Sequence, residues 1–328
     1  MSKPEEWSYV AGHKPRAFWH GLAILSASLT LVTMPAIAAG DQAIPPKSER
    51  APEVRLSGDT VTLPIVMVQE FPFVEGTAAG VKGKFMLDTG TEQALVINDH
   101  RVPVTNSHII GNGKFGSGQV FAARLVPEMS GLQIGGLHYP RVTMIQTQDA
   151  SLLESITPDF LGFFGYHAWA GYALKMDYKK SRAIFYKGGP RHYLKGEKVI
   201  AELPFETRKI PNIPVMPGRI GEMAIIVTWD TGQYGSLNTN TEGRAELFRT
   251  KHLRAARQKP ENFDLTGLEV AGHAMAGFKE LEVETEPSTA AVPIGIKEPH
   301  MLTIGYGLLR QYKTVWDYRR KRIYLLAP

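Results

Sequence analysis

The sequence predicts a mostly β chain built as two related lobes. Three observations carry that expectation: an internal repeat of about 140 residues, short β-rich runs punctuated by Gly, Pro and Asn, and an Asp-Thr-Gly tripeptide at a matching place in each repeat. A unit of that length is domain-sized rather than a solenoid repeat.

In chain order, the N-terminus comes first. Residues 1–20 are largely polar and include Lys14 and Arg16; an apolar run, GLAILSASLTLVTM, then extends from Gly21 to Met34. Pro35 follows, and Ala36-Ile37-Ala38 supplies the small-x-small pattern of a cleavage site. The run is short of the roughly 20 apolar residues that span a bilayer. Residues 1–39 are therefore expected to be an export signal, placing the protein in a periplasmic or extracellular space. The alternative is an uncleaved N-terminal membrane anchor, which the long leader with Glu5 and Glu6 keeps open. The absence of cysteine fits an exported chain held by its core. A flexible segment, 40–57, is expected next.

The first lobe is expected over 58–186. VTLPIVMVQEFPFVEG leads into GVKGKFMLDTGTEQALVI; then come IIGNGKFGSGQVF, LQIGGLHYPRVTMIQ and the closing DFLGFFGYHAWAGYALKMDYKKSRAIFY. KGGPRHYLKGEK, 187–198, has Gly and Pro and no apolar period, as a linker would. The second lobe, 199–328, repeats the plan through IPVMPGRIGEMAIIVTWDTGQYGSL, FDLTGLEVAGHAMAGFKELEVE and LTIGYGLLRQYKTVWDYRRKRIYLL. Runs such as AIIVTW, KELEVE, VTMI, TVWDY and RIYLL are rich in β-branched and aromatic residues and predict strands. One short helix is expected in each copy, at FFGYHAWAG and at GYGLLRQY.

Composition narrows the function. With 43% hydrophobic residues and 21% charged, well mixed, the 328-residue chain has enough apolar content for one large core or two medium ones. The net charge of +5 is mild, and the basic clusters around Lys179 and Arg319 fall where strand ends are expected, with no nucleic-acid-binding motif beside them. The ten histidines show no metal-ligand spacing, and no phosphate loop, Gly-x-Ser-x-Gly or dinucleotide fingerprint is present.

What remains is the pair of acids. FMLDTGTEQALVIN and IIVTWDTGQYGSLN each drive an Asp into what reads as a buried β segment, where an ionised carboxylate needs a partner. Asp88-Thr89-Gly90 and Asp230-Thr231-Gly232 supply that partner for one another. Downstream of each lies an element ending in Gly, the apolar Phe160-Leu161-Gly162 and, less faithfully, Thr303-Ile304-Gly305 with a polar Thr in front, then an Asp-Tyr turn, Asp177-Tyr178 and Asp317-Tyr318. Asp177 and Asp317 read as structural turn residues, and His167 and Trp169 as packing beside the glycine element.

On these residues the chain resembles the aspartic peptidases of the pepsin and retropepsin type, over about 58–328. The resemblance implies two lobes of the acid-protease fold about a pseudo-twofold axis, with the active site between them. It implies catalysis by Asp88 and Asp230, and bracing of their loops by Thr89 and Thr231, with Gly90 and Gly232 allowing close approach. Thr91 matches the hydroxyl residue that pepsin-like members carry after the tripeptide; Gln233 does not. A flap is implied between the acidic loop and the glycine element: GNGKFGSG, 111–118, with Phe115 reaching over a substrate, or else an ordinary flexible hairpin. EVAGHAMAG, 269–277, reads as its weaker counterpart. The expected function is an endopeptidase acting on peptide or protein, needing no metal or other cofactor and binding no nucleic acid. A monomer suffices, and membrane contact arises only if the N-terminal segment is retained. The alternative from another class is an inactive peptidase-like protein that binds a peptide or envelope component.

Overall fold

The computed structural model describes residues 53–115 and 120–328. The signal or anchor expected over 1–39 lies outside them, as do residues 116–119 of the expected flap. No helix among the described residues is long and apolar enough to cross a membrane.

The described chain is mostly β, arranged in three sheets. One belongs to the first half of the sequence. Neighbour to neighbour it runs Val66–Val68, Phe71–Ala78, Val81–Leu87, Phe160–Phe164, Leu95–Asn98, Leu137–Gln148, Val120–Ile134 and His108–Lys114. The second belongs to the other half and runs His273–Ala274, Leu268–Val270, Val215–Ile220, Met223–Trp229, Met301–Ile304, Gly235–Asn238, Phe278–Glu284, Phe263–Leu265 and Leu253–Ala255. From Phe71–Ala78 and from Val215–Ile220 onward, seven strands follow one another in the same order. The pairing senses match as well: each strand leading to an Asp is antiparallel to its hairpin partner and parallel to a later strand.

The local chemistry explains the hairpins. Ala78 pairs with Val81 across the two-residue turn Ala79-Gly80, both at positive φ (47° and 82°), the geometry whose twist suits adjacent antiparallel strands. The third sheet draws on both halves. Its order is Thr60–Pro64, Arg182–Tyr186, Ala173–Asp177, Lys313–Asp317, Arg322–Leu326, Val199–Pro204. At its centre Ala173 to Met176 pair antiparallel with Asp317 to Thr314, joining one half to the other by a hydrogen-bonded ladder. Above it, Trp229 and Trp316, both fully buried, meet edge to face with ring centroids 6.3 Å apart.

Several expectations need correction. Of the 40–57 segment, residues 53–57 are described, and there Val54 and Leu56 are buried and Leu56 N–H donates to the Ala168 carbonyl at 2.8 Å, two alternate apolar residues docking on the core. The linker carries a helical turn, Pro190–Tyr193, started by a proline at its first position and pinned by the buried Tyr193, whose hydroxyl donates to Asp317. The helices expected after the glycine elements are present at Tyr166–Ala168 and Tyr306–Leu309. A longer one, Thr241–Arg249, was not expected; the Asn240 side chain caps it by accepting from Gly243 N–H at 2.8 Å, and Leu247 anchors it in the core.

The flap assignment also changes. By register, the turn Ala271-Gly272 joins strands that correspond to those joined by Gly135-Gly136, so EVAGHAMAG is not the flap's counterpart. That place is taken by the Leu253–Ala255 and Phe263–Leu265 pair with its loop 256–262. Phe115 is buried at 2% exposure and stacks on Phe121 with centroids 4.6 Å apart, in a cluster with Phe73, Met86 and Phe163. An aromatic ring with such a cluster within reach packs into it rather than standing in solvent.

Candidate active site

The strands Val81–Leu87 and Met223–Trp229 each deliver an Asp at their end, and each Asp is held from behind by the parallel neighbour. Asp88 N–H donates to the Phe164 carbonyl at 3.1 Å and Asp230 N–H to the Ile304 carbonyl at 2.9 Å. This fixes which glycines correspond. Tyr166 N–H donates to the Thr91 carbonyl and Tyr306 N–H to the Gln233 carbonyl, both at 2.8 Å. The counterpart of Thr303-Ile304-Gly305 is therefore Phe163-Phe164-Gly165, three residues beyond the expected Phe160-Leu161-Gly162. Both glycines are obligatory by space: a Cβ on Gly165 would lie 2.2 Å from the Gln93 carbonyl oxygen, and one on Gly305 equally close to that of Gln233.

The two Asp-Thr-Gly loops meet. Thr89 N–H donates to Thr231 Oγ1 and Thr231 N–H to Thr89 Oγ1, each at 3.0 Å, and Thr231 Oγ1 donates to the Leu87 carbonyl at 2.8 Å. Threonine is the right residue because one hydroxyl both accepts and donates while its methyl fills a site with no water access. Gly90 N–H lies 2.7 Å from Asp88 Oδ1 and 3.1 Å from Asp230 Oδ1, so one amide touches both carboxyls. Gly232 N–H donates to Asp230 Oδ1 at 2.8 Å. A Cβ on Gly232 would sit 2.4 Å from Asp88 Oδ1, which only glycine avoids. Asp88 and Asp230 are 0% and 2% exposed.

Electrostatics follows from this proximity. Burial, and after it the charge of Asp230, holds the Asp88 carboxyl well above the usual carboxylate range, against the lowering effect of donors from Thr91 and Gly90. Two carboxyls this close keep one proton between them where isolated acids would have lost it, and the proton belongs to the pair. Such a pair can take a proton with one member while giving a hydrogen bond with the other.

The two sides are unequal. Thr91 Oγ1 donates to Asp88 Oδ2 at 2.7 Å. At the matching position Gln233 is 3% exposed, and neither its Oε1 nor its Nε2 has a hydrogen-bond partner among the described residues. Two desolvated amide atoms without partners are unfavourable. Replacing Gln233 by Thr is accordingly expected to raise stability by on the order of 1 kcal/mol, seen as a higher urea midpoint at unchanged slope.

Two sets of residues escaped the sequence reading. Asn212, fully buried, donates from Nδ2 to the carbonyls of Thr89 (3.0 Å) and Gly90 (2.7 Å), tying the second half to the first acidic loop; Tyr318 in turn donates to the Asn212 carbonyl at 2.8 Å. Behind the loops, Tyr166 stacks against Tyr318 (4.9 Å) and Tyr178 against Tyr306 (5.3 Å), each ring meeting one from the other half. Their signal was in the sequence: a Tyr follows each glycine, and a second follows each turn Asp 12 residues on (178 less 166, 318 less 306). Asp177 and Asp317 are buried and accept turn amides from Lys180 and Arg320, both at 3.1 Å. Trp169 is buried against Phe164, whereas His167 is partly exposed beside Glu92. Among the described residues no His, Asp and Glu cluster is arranged to hold a metal ion.

No family model matches the chain, and no curated protein matches it. Among solved structures it is similar to soybean basic 7S globulin, with a TM-score of 0.50 over 82% of this chain and 95% of that one, at 8% sequence identity. At that identity the likeness concerns the fold alone: a mostly β architecture compatible with a pepsin-like scaffold.

Proposed function

We propose that this chain is an aspartic endopeptidase of two lobes about a pseudo-twofold axis, with Asp88 and Asp230 as its catalytic pair between them. The observation that carries the reading is the single Gly90 amide in contact with both carboxyls, which puts two acids in position to share a proton. The ionised member takes a proton from a water as its oxygen attacks the peptide carbonyl carbon. The protonated member hydrogen-bonds the carbonyl oxygen as charge develops there. The tetrahedral adduct then breaks its C–N bond as the nitrogen receives a proton, releasing an acid and an amine. Thr89, Thr231, Asn212 and the two glycines keep the loops at the required separation, and Thr91 orients Asp88. The pair is complete within one chain, which supports a monomer acting on peptides or proteins. The N-terminal run at 21–34 and the Ala36-Ile37-Ala38 pattern support export to the periplasm or cell exterior, or membrane attachment if the run is retained.

The test is hydrolysis of a mixed peptide library by the full chain between about pH 3 and 7, with a statine-type compound as competitor. Cleavage blocked by the competitor is expected. Gln233 favours a second reading, a peptidase-like protein that binds peptides without cutting them, since its side chain gives Asp230 no hydroxyl. Saturable peptide binding by folded protein with no cleavage at any pH would select that reading.

A further inference from the structure

The sheet that joins the halves has two faces, and the residues of its strands alternate between them. Trp316 meets Trp229 on the side of the acids, whereas Val315, Ala173 and Tyr324 pack with Tyr193 on the other. The segment 187–198 crosses that outer face. Lys187 N–H donates to the Asp59 carbonyl at 2.9 Å, and Tyr193 donates to Asp317. Farther along, Glu197 binds Lys175 at 3.0 Å and Lys313 at 2.7 Å, and the Lys198 carbonyl accepts from Ala327 N–H at 2.9 Å. Glu197 is the only acid of the segment and is taken by cations of the sheet. The segment's own cations, Lys187, Arg191, Lys195 and Lys198, are exposed, and among the described residues no acid pairs with them. Arg319 borders them, donating to the Lys187 carbonyl at 3.5 Å, and Arg320 Nη2 lies against Gly189. Asp59 is an exposed acid at the Lys187 end, while Glu202 pairs with Arg322 at 3.1 Å. Directly after Lys198 come two aliphatic side chains in solvent, Val199 at 43% and Ile200 at 41% exposure, Ile200 being the extra residue of a β-bulge.

We propose that this outer face docks on an anionic phospholipid bilayer, with Arg191, Lys195 and Lys198 on lipid phosphates and Val199 and Ile200 among the headgroups. The inference goes beyond the peptidase reading and does not depend on it. Lipid phosphates accept N–H groups from arginine and lysine, and a negative membrane surface attracts each nearby cation. A soluble polyanion would satisfy the cations but give the two exposed aliphatic side chains nothing to enter; a bilayer surface takes both. The course of the chain agrees with this. The apolar run ends at Met34, and the described residues lead from Glu53 to Asp59, beside Lys187. Between Met34 and Glu53 the chain is long enough to span up to about 60 Å, so a retained run would leave this face within reach of the bilayer. An apolar anchor and a basic surface together hold a protein to a membrane better than either does alone. The acids lie on the opposite side of the sheet, so docking directs them away from the lipid.

The test is co-sedimentation of the full chain with vesicles of phosphatidylcholine alone or mixed with phosphatidylglycerol, read as the ratio of the two partition constants. Whatever the run 21–34, Lys14 and Arg16 contribute is common to parent and variant, so a change in the ratio reports the folded face. The parent is expected to prefer the mixed vesicles, less so as salt is raised. The triple change Arg191→Gln, Lys195→Gln, Lys198→Gln should cut the ratio about fivefold for each cation, on the order of a hundredfold in all, at an unchanged melting curve. Val199→Ser with Ile200→Ser should weaken binding to the mixed vesicles and keep its salt dependence. A parent without preference for the mixed vesicles, or a preference that the triple change leaves intact, overturns the inference. Retention of the parent on polyglutamate without that preference overturns it in favour of an acidic protein partner. A dimer in sedimentation that the triple change dissolves, again without that preference, overturns it in favour of a second copy of the chain.

Discussion

Exchange of Asp88 for Asn is expected to abolish hydrolysis and, at neutral pH, to make the folded protein more stable. Asn keeps the shape and one acceptor oxygen for the Gly90 amide, but cannot carry the charge or share the proton. A loss of at least ~10³-fold in kcat/KM follows from removing a group that moves a proton in the reaction. The stability change has the opposite sign for a separate reason. Asp88 is held above its unfolded value by burial and by Asp230. Between the unfolded and folded values the folded state binds more protons, so stability falls as pH rises through that window and is fully present below it. Asn removes that loss. Melting curves of the two proteins should therefore lie close together at about pH 3, near or below the unfolded carboxyl value, and separate as pH rises toward 7, with the variant higher. A variant that is less stable than the parent across the whole range would show that the buried carboxylate is not under strain and that the two acids do not share a proton.

Thr231→Val should produce the largest loss of stability from a single near-isosteric change. The Thr231 hydroxyl accepts from Thr89 N–H and donates to the Leu87 carbonyl, with all three groups inside the protein. Valine keeps the volume and leaves a buried amide without an acceptor, a cost of about 2–4 kcal/mol for the pair of lost bonds. Thr231→Ser, which keeps the hydroxyl, should retain most of the stability. Urea unfolding distinguishes the two: a Val variant within ~0.5 kcal/mol of the parent would mean the reciprocal threonine exchange does not hold the loops together. Activity should fall along with stability in the Val variant, because the same bonds set the distance between the acids.

The sequence made visible whatever was written in local pattern and in repetition. Strands such as Met223–Trp229 and Arg322–Leu326 announce themselves by β-branched and aromatic content, and Asp88 and Asp230 by standing in matched apolar surroundings. What it hid depends on three-dimensional register. Phe-Leu-Gly at 160–162 and Phe-Phe-Gly at 163–165 are alike as sequence; only the hydrogen bonds of Tyr166 and Tyr306 match Gly165 to Gly305. Asn212 sits in a Pro-flanked stretch that resembles an ordinary turn, and its value lies in two carbonyls more than a hundred residues away. The glycines around Phe115 suggest a flap residue reaching over a substrate, whereas its neighbours Phe121, Phe73 and Phe163 arrive from other strands. The Thr241–Arg249 helix depends on a cap by Asn240 within a polar segment too short to show a period.

The strand pair formed by residues 173–176 and 314–317 has a mechanical consequence. Two bodies held only by greasy patches can roll over one another, but a ladder of backbone bonds resists sliding by even one rung, since a one-residue slip turns every side chain to the wrong face. Sliding of one half past the other is thereby resisted at this seam, which ties the strands ahead of Asp177 and Asp317 into one register.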